Sequence, residues 1–339
     1  MLTLMYYYSK SDLGNNDFIM SLGEHCEKND LLLVDICIDD EEELVERYQK
    51  VTPAISIGPY LLTSPFSQLD LDVATHSARD RQKRLTETGN KKYQARVKGG
   101  VSINTLDKFS LYFSKYYAVL ISAFLAIFVM IPFLAPILEK KGYDAPAHVI
   151  YKVYSVLCHQ LAFRSFYLFG DQLYYPRELA QIDSVMTYEI ATGKPISDLT
   201  YARSFVGDKQ LGYKVALCER DIAIYGSLAV FGFAFQLFRK KLKQLPWYLW
   251  FVVALLPIAV DGFSQIPGLS SGWPAWVPIR ESTPILRVLT GTLFGAGTGW
   301  YMFPLMEESM KETRIIVNRK LSIINKIKQS KVMAENEKN

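Results

Sequence analysis

Between Tyr116 and Met306 the chain carries apolar runs long enough to span a bilayer, and nothing else in the sequence limits its fold as strongly. A hydrocarbon layer offers no water to backbone N–H and C=O groups, so a run of about twenty apolar residues there must close its hydrogen bonds within its own helix. Residues 116–138, 218–238, 247–265 and 285–306 read as four such transmembrane helices. Residues 1–100 are polar and charged, so the hydrophobic half of the 339 residues is concentrated in the remainder. The sequence predicts an N-terminal α/β soluble domain followed by a C-terminal all-α polytopic membrane helix bundle.

Charge orients that bundle. Basic residues gather in the linker from Arg79 to Lys98, at Arg239–Lys243 and in the tail from Lys311, each beside an apolar run. Positive flanks mark the cytoplasmic side, so both termini are expected in the cytoplasm. Met1–Tyr8 has neither the basic start nor the apolar core of a signal peptide, which agrees. Residues 149–169 are also apolar, but a fifth crossing would carry the basic tail outside. They are therefore expected to form a non-spanning helix, either packed among the others or lying at the outer interface, followed by an outer loop over 170–213. The net charge of +4 is accounted for by membrane flanks, and lipid rather than nucleic acid is the expected partner.

Within the head, Leu2–Tyr8 and Leu31–Ile38 are β-rich and are separated by a helix-length segment, the pattern of a parallel βαβ unit. A helix over Asp39–Tyr48, a strand opened by Thr52-Pro53 and a last helix from about Gln68 complete residues 1–78; residues 79–115 read as a basic linker. This order resembles the glutaredoxin and thioredoxin family, in which the corresponding strand begins with a cis-proline. The resemblance would put a redox motif at Ser9–Asn16. That loop holds no cysteine, while Cys26 falls on the first helix and Cys37 on a strand. Without a thiolate there is no nucleophile for disulfide exchange. The head is expected to be a redox-inactive docking domain for a cytoplasmic protein partner, with reduced core thiols.

The second unusual feature is Cys158-His159-Gln160, with Arg164-Ser165 close behind, in a chain of four cysteines and four histidines. Alone, such a pair reads as a small buried hydrophobe beside a satisfied imidazole. The topology brings company to it. Cys218-Glu219-Arg220-Asp221 opens the second span from the same side, Asp261 to Gln265 closes the third there, and Arg287 to Gly291 opens the fourth. Ionisable groups at membrane depth are costly and are usually paired or functional. Helix-end charges that snorkel and pair are the plain alternative.

Four chemistries fit this set. Cys158, His159 and Cys218, with Asp261, are competent metal or haem ligands, although no zinc-type spacing is present. Cys158 and Cys218 could instead form a disulfide. His159 and Asp261 could act as acid and base on a lipid-linked or anionic substrate clamped by Arg220 and Arg287. Gln160, Arg164, Asp221, Gln265 and Thr290 would bind ligand in a protein without catalysis, or serve only a structural subunit. Cys-His-Gln with Arg-Ser-Phe, Cys-x-Arg-Asp, Asp-Gly-x-x-Gln and Arg-x-x-Thr-Gly resemble the motifs of the prokaryotic predicted membrane protein family called domain of unknown function 2085. The resemblance covers about residues 140–305 and implies a cytoplasmic-membrane location. It carries no activity; among its motif positions here are also Ser165, Gly262 and Gly291.

Overall fold

The computed structural model describes residues 2–12, 16–100, 102–195, 198–238, 242–269, 273–274 and 276–336. Leu13–Asn15 of the expected motif loop and Arg239–Lys241 of the second basic cluster lie outside the described residues. The chain divides into two compact units, Met1–Lys115 with Ser309–Asn339, and Tyr116–Glu308.

The first unit is an α/β domain. Strands β1 (Leu2–Tyr8) and β2 (Leu31–Cys37) run parallel, joined by helix α1 (Asn16–Lys28). After α2 (Glu42–Tyr48), β3 (Ala54–Ile57) pairs antiparallel with β1, and β4 (Tyr60–Thr63) with β3. The resulting mixed sheet has the order β2-β1-β3-β4. The Thr52-Pro53 peptide bond is cis. α3 (Gln68–Glu87) starts from a capping box in which Ser67 and Asp70 satisfy each other's backbone N–H. α4 (Lys91–Gly100) follows within residues expected to be a linker.

Both faces of this sheet are covered, which is why Leu4, Met5, Tyr6 and Tyr7 are all buried without polar alternation. Leu4 and Tyr6 face Leu22, Cys26, Leu71 and Ala78 from α1 and α3. Met5 and Tyr7 face Leu44 and Tyr48 of α2, together with Ile315 and, more peripherally, Ile323 and Ile327. Those isoleucines come from the segment expected to be a basic tail. Their spacing of four or eight residues puts them on one helical face. Around them Arg314 Nε donates to Glu43 at 2.6 Å and Lys326 Nζ to Asp35 at 2.8 Å.

The second unit contains the apolar helices. α5 (Thr105–Met130), which begins in the first unit, runs through a 3-10 turn into α6 (Leu134–Lys140). α7 (Asp144–Tyr154) ends well before residue 169. The non-spanning helix expected over 149–169 is thus corrected: beyond Tyr154 the chain makes a turn, a 3-10 turn at Ala162–Arg164 and strand β5 (Ser165–Leu168). Aromatic residues Phe166 and Tyr167 favour this extended form, and Gln160 sits at φ +52° in the turn.

Residues 170–213 are a folded layer rather than a plain loop. α8 (Tyr188–Thr192), α9 (Leu199–Ser204) and β6 (Gly207–Asp208) precede β7 (Gly212–Cys218), and β5-β7-β6 form an antiparallel sheet. Phe163, Tyr167, Tyr175 and Tyr188 build its core. The all-α expectation for this part is corrected accordingly. β7 passes directly into α10 (Glu219–Phe238). α11 (Trp247–Trp250), a π turn at Phe251–Leu255 and α12 (Leu256–Phe263) form one apolar rod. The π turn lies just ahead of Pro257, whose missing N–H breaks the regular ladder.

α13 (Pro284–Asn336) is the last helix and contributes to both units. Three helical segments, Thr105–Lys140, Glu219–Phe238 and Trp247–Gly268, are long and apolar enough to cross a membrane among the described residues. Their surfaces agree, with Phe124 69% and Leu237 79% exposed. Such side chains need a lipid environment. The fourth expected span, 285–306, is helical but is not among those three.

Candidate functional site

The site grows from the end of α7. Cys158 N closes a last turn on Tyr154 O, after which Gln160 takes its left-handed conformation. The Gln160 side-chain amide donates to Tyr151 O and Ala216 O, both at 2.9 Å, and so ties the turn to β7. Lys214, on β7, is 1% exposed and donates to Gln160 O at 2.8 Å and Arg203 O at 2.7 Å. Burial pulls the Lys214 ammonium down to about 7. β5 pairs with β7 so that Ser165 lies opposite Cys218. The thiols of Cys158 and Cys218, sixty residues apart in the chain, thereby meet.

The Cys158 and Cys218 sulfurs and an Asp221 carboxylate oxygen all lie within 4.8 Å of one another. Both thiols are free. The hydrogen bond with Cys218 draws the Cys158 thiol below its usual range. His159 lines the same cavity but does not join this group.

Beside the thiols lies a buried ion-pair network. Arg287 is 2% exposed and donates to Glu281, to Glu219 Oε2 at 3.4 Å and to Phe163 O at 3.3 Å. Glu281 also receives Arg164 Nε at 2.8 Å and Arg177 at 3.0 Å. Asp261 receives Arg220, Ser282 Oγ at 3.0 Å and Gln265, and pairs with Arg280 at 3.2 Å. Gln265 Oε1 accepts from Arg287, so the two halves are continuous. Arg164, Arg177, Arg220, Arg280 and Arg287 outnumber Glu219, Glu281 and Asp261 within it. Gly291 lets α13 approach this layer, because a Cβ there would stand 2.8 Å from Arg220 O.

Thiols and arginines share one cavity of about 650 Å³. Its wall includes Arg164, Arg203, Arg220 and Arg287 against a single carboxylate, Asp221. Arg220 Nε and Arg287 Nε are buried with no hydrogen-bond partner. Leu157, Leu161, Leu199 and Leu269 supply an apolar side. An Arg-rich, partly apolar concavity of this kind suits an amphiphilic anion.

The sequence-derived candidates divide by placement. Cys158, His159, Arg164, Arg220, Asp221 and Arg287 come together at the cavity, as does Gln160, whose amide hydrogens are committed to backbone. Asp261 and Gln265 belong to the network behind it. Thr290 Oγ1 is turned back to Leu286 O within α13, and Ser165 Oγ to Leu161 O. Glu281, Arg280, Ser282, Arg177 and Lys214 were not among the candidates. Charges at 280–281 within a Trp- and Pro-rich loop were the available signal; Arg177 and Lys214 sit in a segment whose sequence reads as ordinary polar loop.

Residues 200–301 match a family described as predicted membrane protein DUF2085. An uncharacterized protein of Methanocaldococcus jannaschii is 30% identical over 203 residues, which cover 57% of this chain and 94% of that protein. No solved structure matches the chain.

Proposed function

The chain belongs to the DUF2085 family of predicted membrane proteins, and on that footing we propose that its membrane unit binds an anionic ligand, of lipid-linked or phosphate-ester type, in the arginine-lined cavity. One observation carries the reading: four guanidinium groups converge on a concavity with one carboxylate, and two of their buried nitrogens have no partner. A buried cation with spare donors is stabilised by an incoming oxyanion, and arginine's fork matches phosphate and carboxylate alike. The leucines on the opposite wall would hold an alkyl chain.

The purified full chain in nanodiscs, titrated with pyrophosphate and separately with a polyprenyl phosphate, tests this. Thermal stabilisation that Arg203→Ala weakens is the expected result, with the prenyl compound the stronger ligand. No shift with either anion would remove the proposal. Whether the cavity also performs chemistry turns on His159, which lines it and is exposed. Turnover of the bound phosphate that disappears in His159→Ala would make the protein an enzyme.

In this reading the head is a thioredoxin-like domain without redox chemistry that docks a cytoplasmic partner. The strand order β2-β1-β3-β4 supports that fold. Burial pushes the Cys26 thiol up to about 11, which leaves little thiolate to attack a disulfide. Both termini would then be cytoplasmic, with 285–306 as a fourth span. An impermeant thiol reagent should label a cysteine placed at exposed Ser184 in intact cells; protection until lysis would sink that topology.

A further inference from the structure

The two thiols and Asp221 are arranged for more than packing. They come from two distant stretches of chain: the turn after α7, and the β7–α10 junction, where Cys218 ends the strand and Asp221 lies in the first helical turn. The Gln160 amide pins the turn, the β5–β7 ladder holds Cys218, and Asp221 is fixed by the start of a twenty-residue helix. Three donor atoms within 4.8 Å of one another match a cation held at about 2.3 Å from sulfur and about 2.0–2.2 Å from carboxylate oxygen. All three residues line the cavity.

We infer that Cys158, Cys218 and Asp221 form a site for a thiophilic divalent cation, Zn²⁺ by its donor set, with the fourth coordination position open to the arginine-lined cavity. Two thiolates select against Mg²⁺ and Ca²⁺, and a three-ligand set leaves room for water or a ligand oxygen. Cation binding releases the thiol protons to solvent and needs no oxidant. The anion of the proposed function would then be gripped by the cation at one end and by Arg164, Arg203 and Arg220 around it. This last step rests on that proposal; the cation site itself does not.

The test uses the full chain in detergent, stripped with a chelator under reducing conditions and reloaded with Zn²⁺ or Co²⁺ alone. One Zn²⁺ per chain is expected by elemental analysis. The Co²⁺ form should show thiolate-to-cobalt charge-transfer absorption that Cys158→Ser and Cys218→Ser each diminish. Asp221→Asn should weaken Zn²⁺ binding at least ~10-fold while keeping the sulfur band. Cys37→Ser, which alters a thiol in the other unit, should change nothing. Gel filtration and circular dichroism accompany every variant, and Asp221→Asn, which keeps the side chain's shape, guards against loss of fold in the cysteine variants.

Zn²⁺ uptake that survives in the Cys158→Ser/Cys218→Ser double variant would overturn the inference. So would mass-spectrometric recovery of a Cys158–Cys218 disulfide in protein isolated without reductant, or the absence of any stoichiometric Zn²⁺. Pyrophosphate is titrated into the stripped and loaded forms to separate the two proposals. Zn²⁺ binding without a pyrophosphate response leaves the cation site standing and removes the anion reading; a pyrophosphate response without Zn²⁺ binding does the reverse.

Discussion

The two units differ in how deeply they place their charges. In the head several ion pairs lie at the surface: Lys10–Asp40 has side chains 67% and 64% exposed, and Arg47–Glu312 44% and 58%, while Arg314–Glu43, at 7% and 21%, sits deeper. In the membrane unit Arg287 and Glu219 are 2% and 0% exposed, and Arg177 and Glu281 2% and 1%. Exposed pairs in water contribute roughly 0–1 kcal/mol, whereas buried ones must offset desolvation and gain little over well-packed apolar residues. A unit that could have filled this layer with leucine instead keeps a cation-rich network beside a cavity.

The largest expected effect comes from removing one cation on each side of this comparison. Arg287→Met leaves Glu219 and Glu281 buried without their shared partner and should cost about 3–5 kcal/mol of stability in detergent. Arg47→Ala in the head should cost no more than about 1 kcal/mol. Thermal unfolding of the two variants decides, and equal small losses would break the contrast.

Helix packing gives a smaller effect with a change of sign. A Cβ on Gly295 would collide with Ile224 O and Ser227 Oγ of α10, so Gly295→Ala should destabilise by about 1–3 kcal/mol. A Cβ on Gly23, inside α1, meets nothing within 4 Å. There Gly23→Ala should stabilise the head by about 0.5–1 kcal/mol, because alanine loses less backbone entropy in a helix. Opposite shifts in midpoint sharpen the comparison; shifts of one sign would blur it.

The smallest effect near neutrality is the response to pH. His25, buried against Thr75, has its pKa lowered below 6.5 by burial. The unfolded chain takes up that proton first as pH falls below 6.5, so the head loses stability toward acid. Lys214 in the other unit is drawn from 10.5 to about 7 by burial. Between those values the unfolded chain binds the extra proton, so that unit's stability should rise with pH from about 7 toward 10.5. Below about 7 both states carry the charge and this contribution is flat. Denaturation midpoints from pH 5 to 10 should show one acid-sensitive and one alkali-favoured transition, and Lys214→Met should flatten only the second.

Much of this architecture could be read from the chain alone. The apolar runs marked three helices long and apolar enough to cross a membrane, because hydropathy summed over one turn after another is a local property. β-rich Leu2–Tyr8 and Leu31–Cys37 marked a parallel pair for the same reason. Composition also marked Cys158, Arg220 and Arg287 as anomalous, since such side chains are costly beside apolar sequence. What lay beyond the sequence was which anomalies would meet. Asp221 rather than His159 joins the thiols because a turn and a strand replace the expected helix after Tyr154. Arg287 meets Phe163 O 124 residues earlier, and the tail isoleucines meet β1, only once the backbone has crossed back on itself. Periodicity reports the face a residue occupies, whereas the partner on that face is decided by chain crossings that no local pattern encodes.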